Sequence, residues 1–290
     1  MDRGIFCKET ERRTVKINPA LYPTMTQERA PAHAGTYYPG NPESLSSLVQ
    51  TLLGGSSDPS LCGVSPDRFH AFIVPHGEYA RSGPVAAAAF RLLRNRTKKP
   101  ERILIVAPLH QWPEYGLILP TFSSYRIPTG SLPVDRKTIQ QLAFFPETLF
   151  SDEAHVSEYS IEIQLPFLFE LWGAIPIVPL GYGDLPADVL ARILDPFLSD
   201  PDTLVLVSAD LSRYFNAREA EGIDRETIER ISSCLAVDPF RVCGATGVNA
   251  LGILSRKGSL TPHLLMTANS EETTGDPALL TGYASFGFYG

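Results

Sequence analysis

The chain has 290 residues, 43% of them hydrophobic and 20% charged, with a formal net charge of −7. That is enough apolar material for one large domain or two small ones. A mildly acidic chain without a long basic run argues against general nucleic-acid or anionic-membrane binding and leaves a small molecule or peptide as the expected ligand.

Residues 1–28 are polar and aperiodic and read as an N-terminal extension, with the domain over 29–290. The segment Ala32-His33-Ala34-Gly35-Thr36-Tyr37-Tyr38-Pro39-Gly40 reads as an irregular aromatic loop. Leu45, Leu48, Val49 and Leu52 recur at helical spacing, which predicts a helix over Pro42–Leu53 ended by Gly54-Gly55. A Gly/Ser/Pro-rich stretch leads to Phe69–Val74, a short apolar run that predicts a buried strand. An alanine-rich helix follows over Gly83–Leu93, then a strand over Arg102–Ala107 and a short one over Leu117–Leu119.

Helices are predicted over Asp135–Phe144 and Ser160–Trp172. The proline-containing strand Ile175–Leu180 is placed nearer a sheet edge. A helix over Pro186–Leu198, a strand over Thr203–Ser208, and helices over about Ala217–Leu235 and Gly247–Arg256 come next. Strands over Leu264–Ala268 and Gly282–Tyr289 close the chain. Apolar strands alternating with helices imply α/β class: one three-layer α/β/α domain with a mostly parallel central sheet.

The four cysteines, Cys7, Cys62, Cys234 and Cys243, form no C-x-x-C pair and no dense framework, which argues against a zinc ribbon, a thioredoxin-type site or structural disulfides. The first residues, MDRGIFCKETERRTVK, lack the apolar core of a signal peptide, and no later run reaches transmembrane length. The expected compartment is the cytoplasm, with reduced thiols.

Three strand-like runs end in chemically useful residues: Val74-Pro75-His76, Ala107-Pro108-Leu109-His110 and Ser208-Ala209-Asp210. Ligands of open α/β sheets bind beyond the carboxyl ends of the strands. Parallel strands would bring His76, His110 and Asp210 to one rim. Two imidazoles and a carboxylate suit iron, copper or zinc, and a thiolate such as Cys243 suits copper or zinc better than magnesium. The competing reading makes each histidine a hydrogen-bonded structural residue. His70 and His263 read as structural or exposed and His155 as a solvated loop residue. His33 either reaches the cleft or caps a loop. Glu158 and Glu162, four apart, share a helix face that is solvated by default, although Ile161 and Ile163 leave Glu162 room for burial.

The same residues carry a resemblance. His33-Ala34-Gly35 with Tyr38-Pro39, Val74-Pro75-His76 with Ser82-Gly83-Pro84, Ala107-Pro108-Leu109-His110 and Tyr159-Ser160-Ile161-Glu162 with Leu165-Pro166 open the series. Ser208-Ala209-Asp210-Leu211-Ser212, Cys243-Gly244, and Thr274-Gly275-Asp276 with Gly282-Tyr283 complete it. In order and spacing this resembles Memo-like proteins, whose bacterial members are called AmmeMemoRadiSam system protein B. The resemblance implies a fold like that of class III extradiol dioxygenases. It implies iron or copper held by His76, His110 and Cys243, with Asp210 as the cleft aspartate and His33, Tyr159 and Glu162 nearby. It further implies oxidoreductase or phosphopeptide-binding roles, and radical SAM and AMMECR1-like partner proteins.

Two positions depart from the family pattern. Arg213 stands three residues after Asp210, and Tyr159 stands before Ser-Ile-Glu, where the family has histidines. Arginine does not release its proton at useful pH, so Arg213 cannot serve as general acid/base. It either pairs with Asp210, lies at the surface, or holds a carboxylate or phosphate. A metal-free site for an anionic small molecule or peptide is therefore the alternative to a dioxygenase-like centre.

Overall fold

The computed structural model describes residues 24, 27–55, 63–215, 217–258, 260–274 and 280–290. Most of the N-terminal extension, Cys7, Cys62, Gly275 and Asp276 lie outside the described residues. The chain runs through β1 (Glu28–Arg29), α1 (Pro42–Leu53), β2 (Phe69–Val74), α2 (Tyr79–Arg94), β3 (Arg102–Pro108) and β4 (Leu117–Leu119). A hairpin, β5 (Ser124–Ile127) and β6 (Gly130–Pro133), precedes α3 (Arg136–Leu142), β7 (Thr148–Phe150), α4 (Asp152–Val156), α5 (Tyr159–Glu162) and α6 (Leu165–Trp172). Then come β8 (Ile177–Tyr182), α7 (Ala187–Leu198), β9 (Thr203–Ser208), β10 (Arg213–Phe215), α8 (Ala217–Ser232) and α9 (Ala245–Arg256). The chain ends with β11 (Thr261–Asn269), α10 (Ser270–Thr274) and β12 (Leu280–Tyr289).

The main sheet has the order β10-β12-β2-β9-β3-β8-β4-β7, with β11 also paired to β12. Its centre, β2-β9-β3-β8, is parallel, as continuous apolar runs buried on both faces require. Outside it the pairing turns antiparallel, with β12 on β2, β10 and β11 on β12, and β4 on β8, while the last strand, β7, lies parallel to β4. The sheet is thus mixed around a parallel core. Helices α1, α2 and α6 pack on one another, α7 packs on α9, and members of both groups lie against the strands. A second sheet, β1-β5-β6, has strands of only two to four residues, too short to leave a periodic signal in the sequence.

Two expectations change for proline reasons. The helix expected over Ser160–Trp172 is broken at Ile163 and Gln164 into α5 and α6. Pro166 lacks an amide hydrogen, and its ring crowds the carbonyl four residues earlier. The strand around Pro179 is internal to the sheet, not at its edge. Its outer side meets Val134 at Ile177 and β4 at Gly181 and Tyr182, so Pro179 falls between the two pairings and its missing N–H leaves no ladder bond unmade. Among the described residues no helix is long and apolar enough to cross a membrane.

A buried ion pair locks the aromatic loop to the domain. Arg29, 2% exposed, meets Glu162, 0% exposed, at 2.5 Å. The Glu162 carboxylate also accepts from the amides of Ala32 (3.0 Å) and His33 (2.9 Å) and from the Tyr38 hydroxyl (2.5 Å). Arg29 donates to the carbonyls of His155 (2.7 Å), Val156 (3.0 Å) and Glu158 (2.9 Å). Removing one partner strands a buried charge. Arg29→Ala is therefore expected to lower unfolding free energy by about 3–5 kcal/mol. Arg225→Ala, which breaks the pair with Glu221 (3.9 Å) that is exposed on both sides, should cost less than about 1 kcal/mol. Urea denaturation of both variants checks the contrast.

Candidate metal centre

Neighbouring strands β2, β9 and β3 end side by side, and the residues just past them converge. Beyond each strand end the backbone amides leave the ladder and need other acceptors. The His76 amide donates to Asp210 Oδ1 at 2.8 Å, and the His110 amide donates to Glu158 Oε2 at 2.7 Å. Asp210 also exchanges two backbone hydrogen bonds with Cys243, each 3.0 Å long. The next residue, Gly244, has φ +95°, and a Cβ there would lie 2.7 Å from the Ser208 carbonyl oxygen. Only glycine lets the chain press Cys243 against the end of β9 in this way.

The hydrogen-bond circuit sets the His76 tautomer. Ser208 Oγ donates to the Ser160 carbonyl (2.7 Å), so toward His76 Nδ1 (3.0 Å) it accepts. Nδ1 therefore carries the proton and Nε2 the lone pair. In agreement, Arg213 Nη2, which can only donate, lies 3.0 Å from His76 Nε2. His110 Nδ1 faces Glu158 Oε1 at 2.9 Å, and its Nε2 faces Cys243 Sγ at 3.0 Å and the Tyr159 hydroxyl at 2.9 Å. Each histidine is thus anchored through Nδ1 and turns Nε2 toward the cysteine, the supporting arrangement typical of imidazole ligands.

His76, His110 and Cys243 each offer one ligand atom, and these atoms lie within 4.8 Å of one another. Donors sharing an ion at about 2.0–2.3 Å sit no more than about 4.6 Å apart. In a three- or four-coordinate site such donors lie about 3.3–3.8 Å apart, so side-chain shifts of up to about 1 Å, which also open the 3.0 Å His110–Cys243 contact, would let the three residues hold a metal. Two nitrogens and a sulfur are donors for a transition metal or zinc, not for magnesium or calcium.

Charges support the same arrangement. Burial disfavours a charged His110, but Cys243 and Glu158 beside it raise it to about 9. Burial likewise opposes the Glu158 carboxylate, yet His110 and two backbone amides lower it to about 2. Burial works against ionisation of Cys243, but the His110 hydrogen bond and the Arg213 charge beside the sulfur hold the thiol below its ordinary range. At neutral pH the metal-free site therefore lines up a carboxylate, an imidazolium and a thiolate. Asp210 is fully buried; burial raises its carboxyl, but Arg213 and the His76 amide outweigh it and hold it below the usual range. Arg213 Nη2 meets Asp210 Oδ2 at 2.7 Å.

An open cleft of about 290 Å³ adjoins these residues on the side of Asp210 and is lined by Tyr37, Glu78, Arg81, Tyr159, Arg213 and Tyr283, among others. Tyr159 stacks on His110 with ring centroids 4.5 Å apart. His33 sits near the rim, its Nε2 2.8 Å from the Ser157 carbonyl and its ring 5.0 Å from Tyr37. Glu162 is not a cleft residue, because its carboxylate is consumed by Arg29, Tyr38 and two loop amides. His155 is buried, not solvated. Its Nε2 bonds the Ile118 carbonyl (2.9 Å), and burial lowers it to about 4. Sequence reasoning missed Glu158 and Ser208 as anchors of the two imidazoles. The one sequence signal for Glu158 is its place just before α5, where it caps the Ser160 amide at 2.9 Å.

Comparison with known proteins matches this architecture to a described family. The family model "Memo-like protein" covers residues 29–286, which include every residue of the site. The chain belongs to the Memo-like family. A MEMO1 family protein of Methanopyrus kandleri is 31% identical over 281 residues, spanning 90% of this chain and 99% of its own. One from Sulfolobus acidocaldarius is 32% identical over 90% and 99% of the two chains. One from Aquifex aeolicus is 27% identical over 88% and 97%.

The depressed thiol gives this Memo-like protein a measurable pH signature. In chelator-treated protein, ultraviolet thiolate absorbance should rise with a midpoint below the ordinary thiol range: thiol below that pH, thiolate above it. Cys243→Ala should remove the step. A midpoint in the ordinary thiol range, about 8.5, would contradict the charge arrangement.

Proposed function

We propose that the cleft is a transition-metal site, for iron or copper, with His76, His110 and Cys243 as protein ligands and a redox or dioxygenase-like role toward a small molecule or peptide. The observation that carries this reading is the pairing of anchored Nδ1 atoms with convergent Nε2 atoms around one thiol. A histidine kept for structure alone needs no such shared focus. A bound iron or copper ion would supply one-electron redox chemistry and Lewis acidity. The chain's own residues hold the ligands in place: Glu158 and Ser208 orient the imidazoles, Gly244 seats Cys243, and the tyrosines shape the cleft. The thiolate favours copper over harder ions. A cytoplasmic setting, which keeps Cys243 reduced, belongs to the same proposal.

The departures limit the chemistry. Arg213 is raised even above its ordinary range, because Asp210 outweighs the burial penalty, so it releases no proton. Any proton transfer in the cleft must come from another group or from the ligand. The alternative, an anion site centred on Arg213, is less favoured because Asp210, 2.7 Å away, already neutralises that guanidinium.

Protein purified without chelator or affinity tag, and analysed by inductively coupled plasma mass spectrometry, should carry or take up close to one equivalent of metal. With Co²⁺ as probe, a thiolate-to-metal charge-transfer band should form and vanish in Cys243→Ala. His110→Ala should weaken uptake by about tenfold or more, the range seen when a site loses ligand support. No uptake at micromolar metal would remove the basis of the proposal.

A further inference from the structure

The two nitrogens that face the shared focus are both occupied by side chains. Arg213 Nη2 lies 3.0 Å from His76 Nε2, and the Tyr159 hydroxyl lies 2.9 Å from His110 Nε2. Neither contact is incidental. Arg213 is held from behind by Asp210 at 2.7 Å. Tyr159 is held by stacking on the His110 ring at 4.5 Å and on Tyr37 at 4.7 Å. An imidazole nitrogen has one lone pair, so it cannot hold a hydrogen, its own or a partner's, and bind a metal at once.

We infer that Arg213 and Tyr159 form a latch that competes directly with metal for His76 and His110. This inference builds on the metal-site reading above. With the latch closed, both imidazole nitrogens of the metal-free site are hydrogen-bonded, with no imidazole lone pair left exposed to the cleft. On His76 the latch donates into the lone pair. At His110 Nε2, Tyr159 and Cys243 share one hydrogen, and the tyrosine helps to hold that arrangement in place. Loading requires both side chains to withdraw. Arg213 can turn toward the 290 Å³ cleft that it already lines and keep its contact with Asp210. The latch subtracts the same factor from the affinity of every cation. Ions weak on an imidazole–thiolate site then stay out at concentrations where strong ones load.

Co²⁺ titrations of the wild type, Arg213→Gln and Tyr159→Phe test this. The Gln side chain retains an N–H donor for Asp210, and Tyr159→Phe keeps the aromatic stack and changes no formal charge. Arg213 is a charged donor acting alone on its nitrogen, whereas Tyr159 shares the His110 proton with Cys243, so losing Arg213 counts for more. Co²⁺ binding should therefore tighten by about tenfold or more in Arg213→Gln and by about threefold or more in Tyr159→Phe. The Tyr159→Phe arm separates the latch from simple removal of a positive charge. Nitrogen-15 spectra of the metal-free proteins give an independent readout. The His76 Nε2 resonance should move toward that of an unbonded imine nitrogen in Arg213→Gln, and the His110 signals should change in Tyr159→Phe.

If the wild type binds Co²⁺ and both variants bind it equally or more weakly, the latch is wrong and the metal site stands. Weaker binding in Tyr159→Phe alone would make that tyrosine a supporter of the metal position and would also overturn the inference. If none of the three binds, the metal-site reading falls and takes the latch with it.

Discussion

Asp210 is the residue on which the site depends. Its backbone pairs with Cys243 in both directions, one carboxylate oxygen takes the His76 amide, and the other takes Arg213. One residue therefore ties together the ends of β2 and β9, the turn before α9 and the start of β10. The constraint is electrostatic as well as geometric. A carboxylate 1% exposed is stable only when its oxygens are satisfied by donors and charge. Here those donors are the groups whose positions define the cleft.

Glu158 repeats this design on the other side. It accepts the His110 amide through one oxygen and His110 Nδ1 through the other, and it caps the start of α5. Glu162, one helical turn on, does the same for the aromatic loop through Arg29, Tyr38 and two amides. Three buried carboxylates, each with multiple donors, hold the parts of the molecule that are not in regular ladders. The central parallel strands need no such help, because burial on both faces and continuous backbone pairing stabilise them. The polar anchors are concentrated where the chain leaves the sheet and the chemistry begins.

Much of the sheet was legible because its strands are local signals. Phe69–Val74, Leu117–Leu119 and Thr203–Ser208 have the bounds read from their apolar runs. His76, His110 and Asp210 were also legible, since neighbouring parallel strands deliver the residues just past their ends to one rim. Their convergence with Cys243 arises from the order β2-β9-β3 and from the Asp210–Cys243 bridge. The features that escaped depend on distant partners. Nothing near Glu162 in sequence says that Arg29 lies against it, and the same is true of Glu158 and His110. Spacing on a helix face predicts solvation for Glu158 by default and leaves Glu162 room for burial between two isoleucines; the tertiary fold buries both. The short hairpin β5–β6 and the antiparallel flanks were missed because pairing direction is set by topology, not by composition.

Arg213 and Tyr159 sharpen what the centre is. By residue type alone, Arg213 is a group that releases no proton at useful pH. In the structure they sit on the two imidazole nitrogens that face the cysteine, which ties their roles to the same two atoms. X-ray absorption at the metal edge of protein loaded with one equivalent of copper tests the central claim most directly. The account predicts one sulfur scatterer at about 2.3 Å and two imidazole nitrogens at about 2.0–2.1 Å, with the sulfur shell lost in Cys243→Ala. A first shell of oxygens alone, or a sulfur shell that survives that substitution, would contradict it.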